Sequence, residues 1–475
     1  MPDTTALELL RHLAAADEEL RPALLKHVSE VTQGLIDTTG RGMDLTEADL
    51  SNLDLRRVDL RRATLNRALL HGTRLQEADL SEVSMVCPGM ERTNLTGASL
   101  RSAYVHALAA QTCVFDGADL TGLRDATGTL FHGCSMRGTH LDDGHLSGSS
   151  FYQCDLSDAS MRNMNLQGAL ISECLLDSAA LDGSCVDQLS VTKSSLRDTS
   201  LRSVAGHGLA LQRLTAADGL VLADAGLPQL RLTGVQAHDW RAAGLKAPDA
   251  DFTDLTVTAA DFSGAQLTGA RWTRCTLPQV RLGGASLSNG SIVESSLRGA
   301  VLTAARGENL HIVESDLSDA EMSTFLGRCL TVRDSSLARA NLRHANLYRA
   351  MITGDPPRGM SLRRAVLDGA TLVQAYIAAD LREAALVGAN CAYSRFSQSD
   401  LSGARLDGAG MYQSTWVKTV VTGASLTGVK APVFTDRCPG LAEALERDGG
   451  AAATEFAAFV ENLGAALAKG RKGST

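Results

Sequence analysis

Aromatic residues make up only 4% of this 475-residue chain. A core of interlocking large side chains needs more Phe, Tyr and Trp than that, so small stacked side chains are implied. No apolar run approaches the roughly eighteen residues of a spanning helix, so no membrane segment is predicted. A basic excess is also lacking. The net charge of −9 favours solubility and argues against a general nucleic-acid binder. The ten cysteines include no CxxC pair and lack the density of a disulfide framework, so reduced thiols and a cytoplasmic setting are expected. The opening stretch MPDTTALELLRHLAAADEEL is acidic and has no long apolar run, which does not fit a secretory signal. GxSxG, HExxH and a Gly-rich phosphate loop leading into a helix are absent too.

What the chain has in abundance is a period of five. In MDLTEADLSNLDLRRVDLRRATL, residues 43–65, leucine stands at Leu45, Leu50, Leu55, Leu60 and Leu65. Neither a helix at 3.6 residues per turn nor a strand at two explains this spacing. With these residues taken as centres, the rhythm runs to Phe115 and Leu120, slips by one near Asp125 and resumes at Phe131. It slips again near Asp218, holds from Leu222 to Ile377, loses one residue before Leu381 and ends at Leu426. Roughly 385 residues thus obey one rule. The residue two before each centre is small or apolar (Ala48, Leu53, Val58, Ala63), and the residue between is often Asp or Asn. The two after it are polar, and the second is often Gly, as at Gly72 and Gly97.

Two inward residues around one outward residue make a very short strand, because strand side chains alternate. Two polar residues then force a turn, and Gly second in that pair supplies the positive φ of a type II turn. Repeated, such units make a short-turn solenoid whose coils stack about 4.8 Å apart. ADLSN (48–52), ADLSE (78–82), ADLTG (118–122) and ANLYR (345–349) carry the A(D/N)LXX pattern. In this the chain resembles the pentapeptide-repeat family over about four-fifths of its length. The resemblance implies an all-β solenoid: a right-handed quadrilateral β-helix of roughly nineteen coils, on the order of 90 Å long.

The expected organisation is a helical cap at 1–42, the β-helix at 43–428, and a linker with C-terminal helices at 429–475. A solenoid leaves backbone groups open at its ends. Residues 4–36 read as helical, with a break before Pro22 and an apolar stripe of Leu24, Leu25, Val28, Val31 and Leu35. APVFTDRCPG (431–440) reads as the linker. Beyond it, Phe456, Phe459, Val460, Leu463 and Leu467 form a stripe that would either cap the last coil or make a homodimer.

Candidates for chemistry are few. Cys134, Cys154 and Cys174 are one coil apart in an inward position, and Cys113 aligns with them across the slip. Thiols strung along a line do not converge as a tetrahedral metal site requires, so this ladder reads as core packing, with Thr93 and Ser194 in the same column. His140, Asp142, Asp143 and His145 lie around a corner and read as solvated surface. No metal, cofactor or inward-facing pair of carboxylates is expected. In TGDPPRG (353–359) a centre falls on Pro357 and an inward position on Asp355. Proline cannot donate to a neighbouring coil, so one side is expected to loop out, and Asp355, Pro356, Pro357 and Arg358 form a candidate interaction loop.

The arginines of LDLRRVDLRR look linearly like a nucleic-acid patch. Folded at five residues per side, they meet Glu77 and Glu82 one coil above Arg57 and Arg62, while Glu47 lies below Arg67 and Arg74 above Asp54. Residues 126–219 hold six Lys/Arg against ten Asp/Glu, and 331–428 hold eleven against seven. The expected function is a non-enzymatic scaffold or adaptor binding a protein partner along the repeat surface. The family resemblance implies an alternative: a DNA-mimicking binder of gyrase-like topoisomerases that protects them from inhibitors. Neither direct nucleic-acid binding nor membrane association is expected.

Overall fold

In the computed structural model, which describes residues 4–355, 359–429 and 433–448, each five-residue unit forms one side of a coil. The residue before each centre bridges in parallel to the next coil: Asp44 to Thr64, Asp49 to Leu69, Asp54 to Arg74 and Asp59 to Asp79, one pair per side. Between sides the chain turns tightly. The Ala63 N–H reaches the Leu60 carbonyl at 3.1 Å, and φ at Arg62 is +59°, as a type II turn requires. Glycine takes this left-handed position at Gly72, but Glu47, Arg57 and Arg62 take it as well. A side chain there costs about 1–2 kcal/mol, which backbone bonds to the neighbouring coils offset.

The recurring Asp or Asn has a specific task at these turns. Asp49, Asp79 and Asn94 each accept the N–H two residues on, at 3.0 Å. That N–H opens the turn and has no backbone partner, so a short side-chain oxygen satisfies it. Hydrogen bonding to Ser51 accordingly lowers the Asp49 pKa.

The chain divides into two compact units, residues 1–241 and 242–475. In the first, helices α1 (Thr4–Ala15) and α2 (Arg21–Thr39) precede the coils. Leu45, Leu50, Leu55, Leu60 and Leu65 are fully buried. One side carries the longer strands, with Leu130–His132, Ser150–Tyr152, Leu170–Ser172 and Ser190–Thr192 in parallel register. Ala110 pairs with Phe131, so the first slip lies at Asp125, which is exposed while Ala126 is buried. Leu211 pairs with Leu232, and the second extra residue lies among Leu214–Ala216, slightly ahead of Asp218. The few aromatics are stacked coil on coil: Phe131 and Phe151 lie parallel at 4.9 Å.

The second unit repeats the scheme, with Arg271–Thr273, Ser291–Val293, His311–Val313, Thr331–Arg333 and Met351–Thr353 in one parallel ladder. Phe252 and Trp272 meet inside it at 4.2 Å. Ile352 pairs with Ile377 instead of residue 372, so one extra unit's length of chain lies between Thr353 and Ser361. Ile377 then pairs with Phe396, one residue short of a full coil. The stretch expected as a linker differs from that reading. Val433–Asp436 is a strand paired in parallel with Ser414–Val417, followed by α3 (Leu441–Arg447). It escapes the period because the backbone pairing that places it asks for no leucine at a fifth position.

Helices supply what a missing coil would have supplied. The carbonyls of Asp54, Arg56 and Asp59 face off the first coil, with no earlier coil to donate to them. Arg21 donates to Asp54 O at 3.2 Å and Arg56 O at 3.1 Å, and Thr32 donates its hydroxyl to Asp59 O at 2.9 Å. Val28 and Thr32 are buried beneath α2, while Leu24, Leu25, Val31 and Leu35 are half-buried. In the second unit, the Asp448 carboxylate accepts the Leu426 N–H, and Arg447 donates to the Ala424 carbonyl. Those are a donor and an acceptor that a further coil would have paired.

Candidate interaction surfaces

The four aligned cysteines, Cys113, Cys134, Cys154 and Cys174, are at most 2% exposed. They stand at the corner that follows the longer strands, where the turn lacks its usual internal bond. At other corners this N–H closes onto the carbonyl three residues back, as from Ala48 to Leu45. Here a side chain from the next coil accepts it instead. The Cys154 N–H reaches Cys174 Sγ at 3.3 Å, and the Cys174 N–H reaches Ser194 Oγ at 3.0 Å. The thiols donate in turn to carbonyls: Cys154 to Phe131 O and Cys174 to Phe151 O, both at 3.4 Å. The second unit does the same with Cys275, Ser295, Ser315 and Ser335, at 2.9–3.1 Å.

These residues therefore fill space and also satisfy buried backbone, which reading them as small hydrophobes does not convey. The bond with Cys113 pulls the Cys134 thiol down, but Cys154 and burial carry it up to about 12. Burial takes Cys391 up to about 12. The bond from Cys154 instead holds the Cys174 thiol below its ordinary value despite burial. Cys134 and Cys391 stay protonated near neutrality and are poor nucleophiles and metal ligands. Asp142 is engaged by the Ser160 hydroxyl and the Arg162 N–H, both at 2.7 Å. Among the described residues, no group of three or more His, Cys, Asp or Glu is arranged to hold a metal ion.

At this insertion, the Asp355 N–H donates to Asp334 Oδ1 at 2.7 Å, and the Gly359 N–H returns to Asp355 O at 2.9 Å. Ser361 then rejoins the ladder through Ser335 O at 3.1 Å. A Cβ on Gly354 would lie 2.1 Å from the Met360 nitrogen, so the two ends of the loop close against each other. Pro356, Pro357 and Arg358 lie outside the described residues, as do Phe456, Phe459, Val460, Leu463 and Leu467. An open hollow of about 510 Å³ adjoins the loop, with Glu294, Glu314 and Asp334 along one side and Ser295, Ser315 and Ser335 along another.

The charged ladder of the first unit is closed on itself. Arg57 meets Glu77 at 2.9 Å, Arg62 meets Glu82 at 3.1 Å and Arg67 meets Glu47 at 3.3 Å. Arg74 lies 3.7 Å from Asp54. A different surface, the corner carrying Tyr348, Tyr393 and Tyr412, is hard to see linearly. Its members are brought into line only once the five-residue loop and the one-residue deletion are placed.

A parallel, four-sided β-solenoid with a five-residue unit defines a class of repeat protein, and comparison with known proteins agrees. The family model described as Pentapeptide repeats matches repeatedly, at residues 35–62, 44–82, 63–102, 125–163, 134–172, 250–291 and 379–415. Over these residues the chain carries the repeats of the pentapeptide-repeat family. Comparison with curated proteins returns no match. Similar solved structures include QnrB1, a plasmid-mediated fluoroquinolone resistance protein, at 19% identity over 40% of this chain and 96% of that one, with a TM-score of 0.26. HetL, involved in heterocyst differentiation regulation in the cyanobacterium Nostoc sp. strain PCC 7120, is 25% identical over 41% of this chain and 87% of that one, at 0.19. A pentapeptide repeat protein of the Arabidopsis thaliana thylakoid lumen is 24% identical over 25% and 65%, at 0.16. Among the described residues, no helix is long and apolar enough to cross a membrane.

Proposed function

We propose that this chain is a non-enzymatic scaffold that binds another protein along its outward ladders. The observation that supports this is the fixed one-coil step of outward side chains, as in Arg57–Glu77 and Arg62–Glu82. Surfaces held at regular spacing by a stacked backbone need little ordering on binding, which favours recognition of an extended partner. A pull-down from native lysate with the full chain is expected to recover a stoichiometric protein partner. Recovery of the chain alone would count against the scaffold. Self-association through the C-terminal segment belongs to the same proposal, and light scattering of the full chain is its test.

The acidic balance of 126–219, ten Asp/Glu against six Lys/Arg, favours a second reading as a topoisomerase-binding DNA mimic. Duplex DNA carries about one charge per 1.7 Å. Here many carboxylates are spent on neighbours, as when Asp155 pairs with Arg137 at 3.2 Å and Glu173 with Lys193 at 3.2 Å. A gyrase supercoiling assay with and without a quinolone-type poison decides between the two. Unchanged supercoiling together with no protection removes the mimic.

A further inference from the structure

Five successive coils of the second unit turn one corner at residues 328–331, 348–351, 373–376, 392–395 and 412–415. The parallel registers linking Thr331, Met351, Tyr376, Arg395 and Thr415 fix this alignment. Four of the chain's six tyrosines stand on this corner: Tyr348, Tyr376, Tyr393 and Tyr412. Tyr393 and Tyr412 are 51% and 50% exposed and meet edge to face at 5.5 Å. The Arg328 and Arg349 guanidinium groups lie 5.6 and 5.2 Å from the centre of the Tyr348 ring, and Arg395 lies 5.8 Å from that of Tyr376. Gln374 Oε1 accepts from both the Tyr348 hydroxyl, at 3.0 Å, and Arg349 Nε, at 2.8 Å. Met351, 51% exposed, lies among them.

No Asp or Glu occupies any of these five stretches. Among the described residues, Arg328, Arg349 and Arg395 make no ion pair, whereas Arg339, Arg343 and Arg382 on other corners are paired with Asp319, Asp368 and Asp380. The three guanidiniums are thus held in place by rings and an amide that leave their charge uncancelled. Tyrosine and arginine are the side chains that most often carry binding energy at protein interfaces. Arginines already steadied by cation–π contact and hydrogen bonding lose less freedom on binding. The five coils span roughly 19 Å, the length of a short extended segment.

We propose that this corner is a docking surface for an acidic stretch of a partner protein, with carboxylates set among apolar or aromatic side chains. Charge complementarity with three unpaired arginines requires the acid, and the exposed Tyr and Met side chains require the apolar contacts. A polynucleotide fits less well. Single-strand binders track the backbone in a positive groove, while this surface is an outward corner on a chain of net charge −9. The proposal rests on the scaffold reading and narrows it to one corner and one partner chemistry.

Fluorescence anisotropy of the full chain with two probes tests it: a labelled peptide of alternating Glu and Phe, and a labelled oligothymidine. The peptide is expected to bind more tightly than the oligonucleotide. Arg328→Gln, Arg349→Gln and Arg395→Gln combined are expected to weaken it by about tenfold or more. A control carrying Arg57→Gln and Arg62→Gln, which removes paired arginines, is expected to leave peptide affinity within about twofold. Tyr393→Ser with Tyr412→Ser checks the aromatic half, with unchanged far-ultraviolet circular dichroism confirming the fold of each variant. Equal loss in the control and the corner variant overturns the proposal, as does tighter binding of the oligonucleotide. A wild-type chain that ignores the peptide yet still recovers a partner from lysate overturns the docking corner and leaves the scaffold standing. Failure of both removes both.

Discussion

Arginine on a corner means opposite things in two regions of this molecule. Around residues 43–82, Arg57, Arg62 and Arg67 each face a glutamate one coil away, within 3.3 Å. Between 328 and 415, Arg328, Arg349 and Arg395 lie against tyrosine rings at 5.2–5.8 Å, with no carboxylate partner among the described residues. The backbone geometry is alike in the two places: Arg57 and Arg349 both take a positive φ, at +61° and +56°. What differs is the residue one coil away, above or below. Glutamate there turns the arginine inward to the register of its own coils, while tyrosine or glutamine leaves its charge facing outward. Arg21 shows a third use, spending its hydrogens on orphaned carbonyls of the first coil.

That comparison can be broken in several places. The largest effect is expected at Arg21→Ala, which strands the Asp54 and Arg56 carbonyls and should cost about 1–3 kcal/mol in chemical denaturation. A loss no larger than that of an exposed arginine would mean the helix is not a cap. In the interior, Cys174→Val leaves the Cys154 N–H without its acceptor, again at about 1–3 kcal/mol, whereas Cys174→Ser keeps an acceptor there. Valine outperforming serine would show that apolar packing governs the column.

Smaller effects come from the ladders themselves. Arg57→Glu sets like charges together and should cost about 0.2–1 kcal/mol, with the loss shrinking in salt and recovered by adding Glu77→Arg. Failure of the swap to rescue would remove the registry role. The smallest effect concerns pH. Hydrogen bonding to Arg339, aided by Arg298, holds the Asp319 carboxyl down at about 2, below its ordinary 3.8. A depressed folded value means its contribution is complete above 3.8 and is lost as the pH falls toward about 2. The stability gap between wild type and Asp319→Asn should therefore close over that window. A gap constant with pH would show that the ion pair contributes nothing.

The coil was legible in the sequence because burial at Leu45, Leu50 and Leu55 imposes a period that linear inspection can count. Contacts between coils were legible where register is uninterrupted, as for Arg57 with Glu77. The Val433–Asp436 strand was not, because it joins the ladder through its backbone and carries no repeat. The hydrogen-bonding task of Cys174 was hidden as well, since it arises from a corner that lacks a turn bond, which spacing does not reveal. The tyrosine corner needed both the five-residue insertion and the shortened coil before Arg349, Gln374, Tyr393 and Gln413 fell into one column. A signal was present all the same: four of six tyrosines lie after residue 347.

The loop between Gly354 and Gly359 has a consequence for how such a chain can change. It adds one whole unit of length, so every later side chain keeps the inward or outward sense it would have had without it. Its ends return to nearly the same point, so the coil beyond is threaded as if nothing had been spliced in. The arrangement is analogous to a reading frame. Additions that leave and re-enter at this corner are silent to the core whatever their sequence, which makes it the natural place to graft a foreign segment and expect the solenoid to carry it.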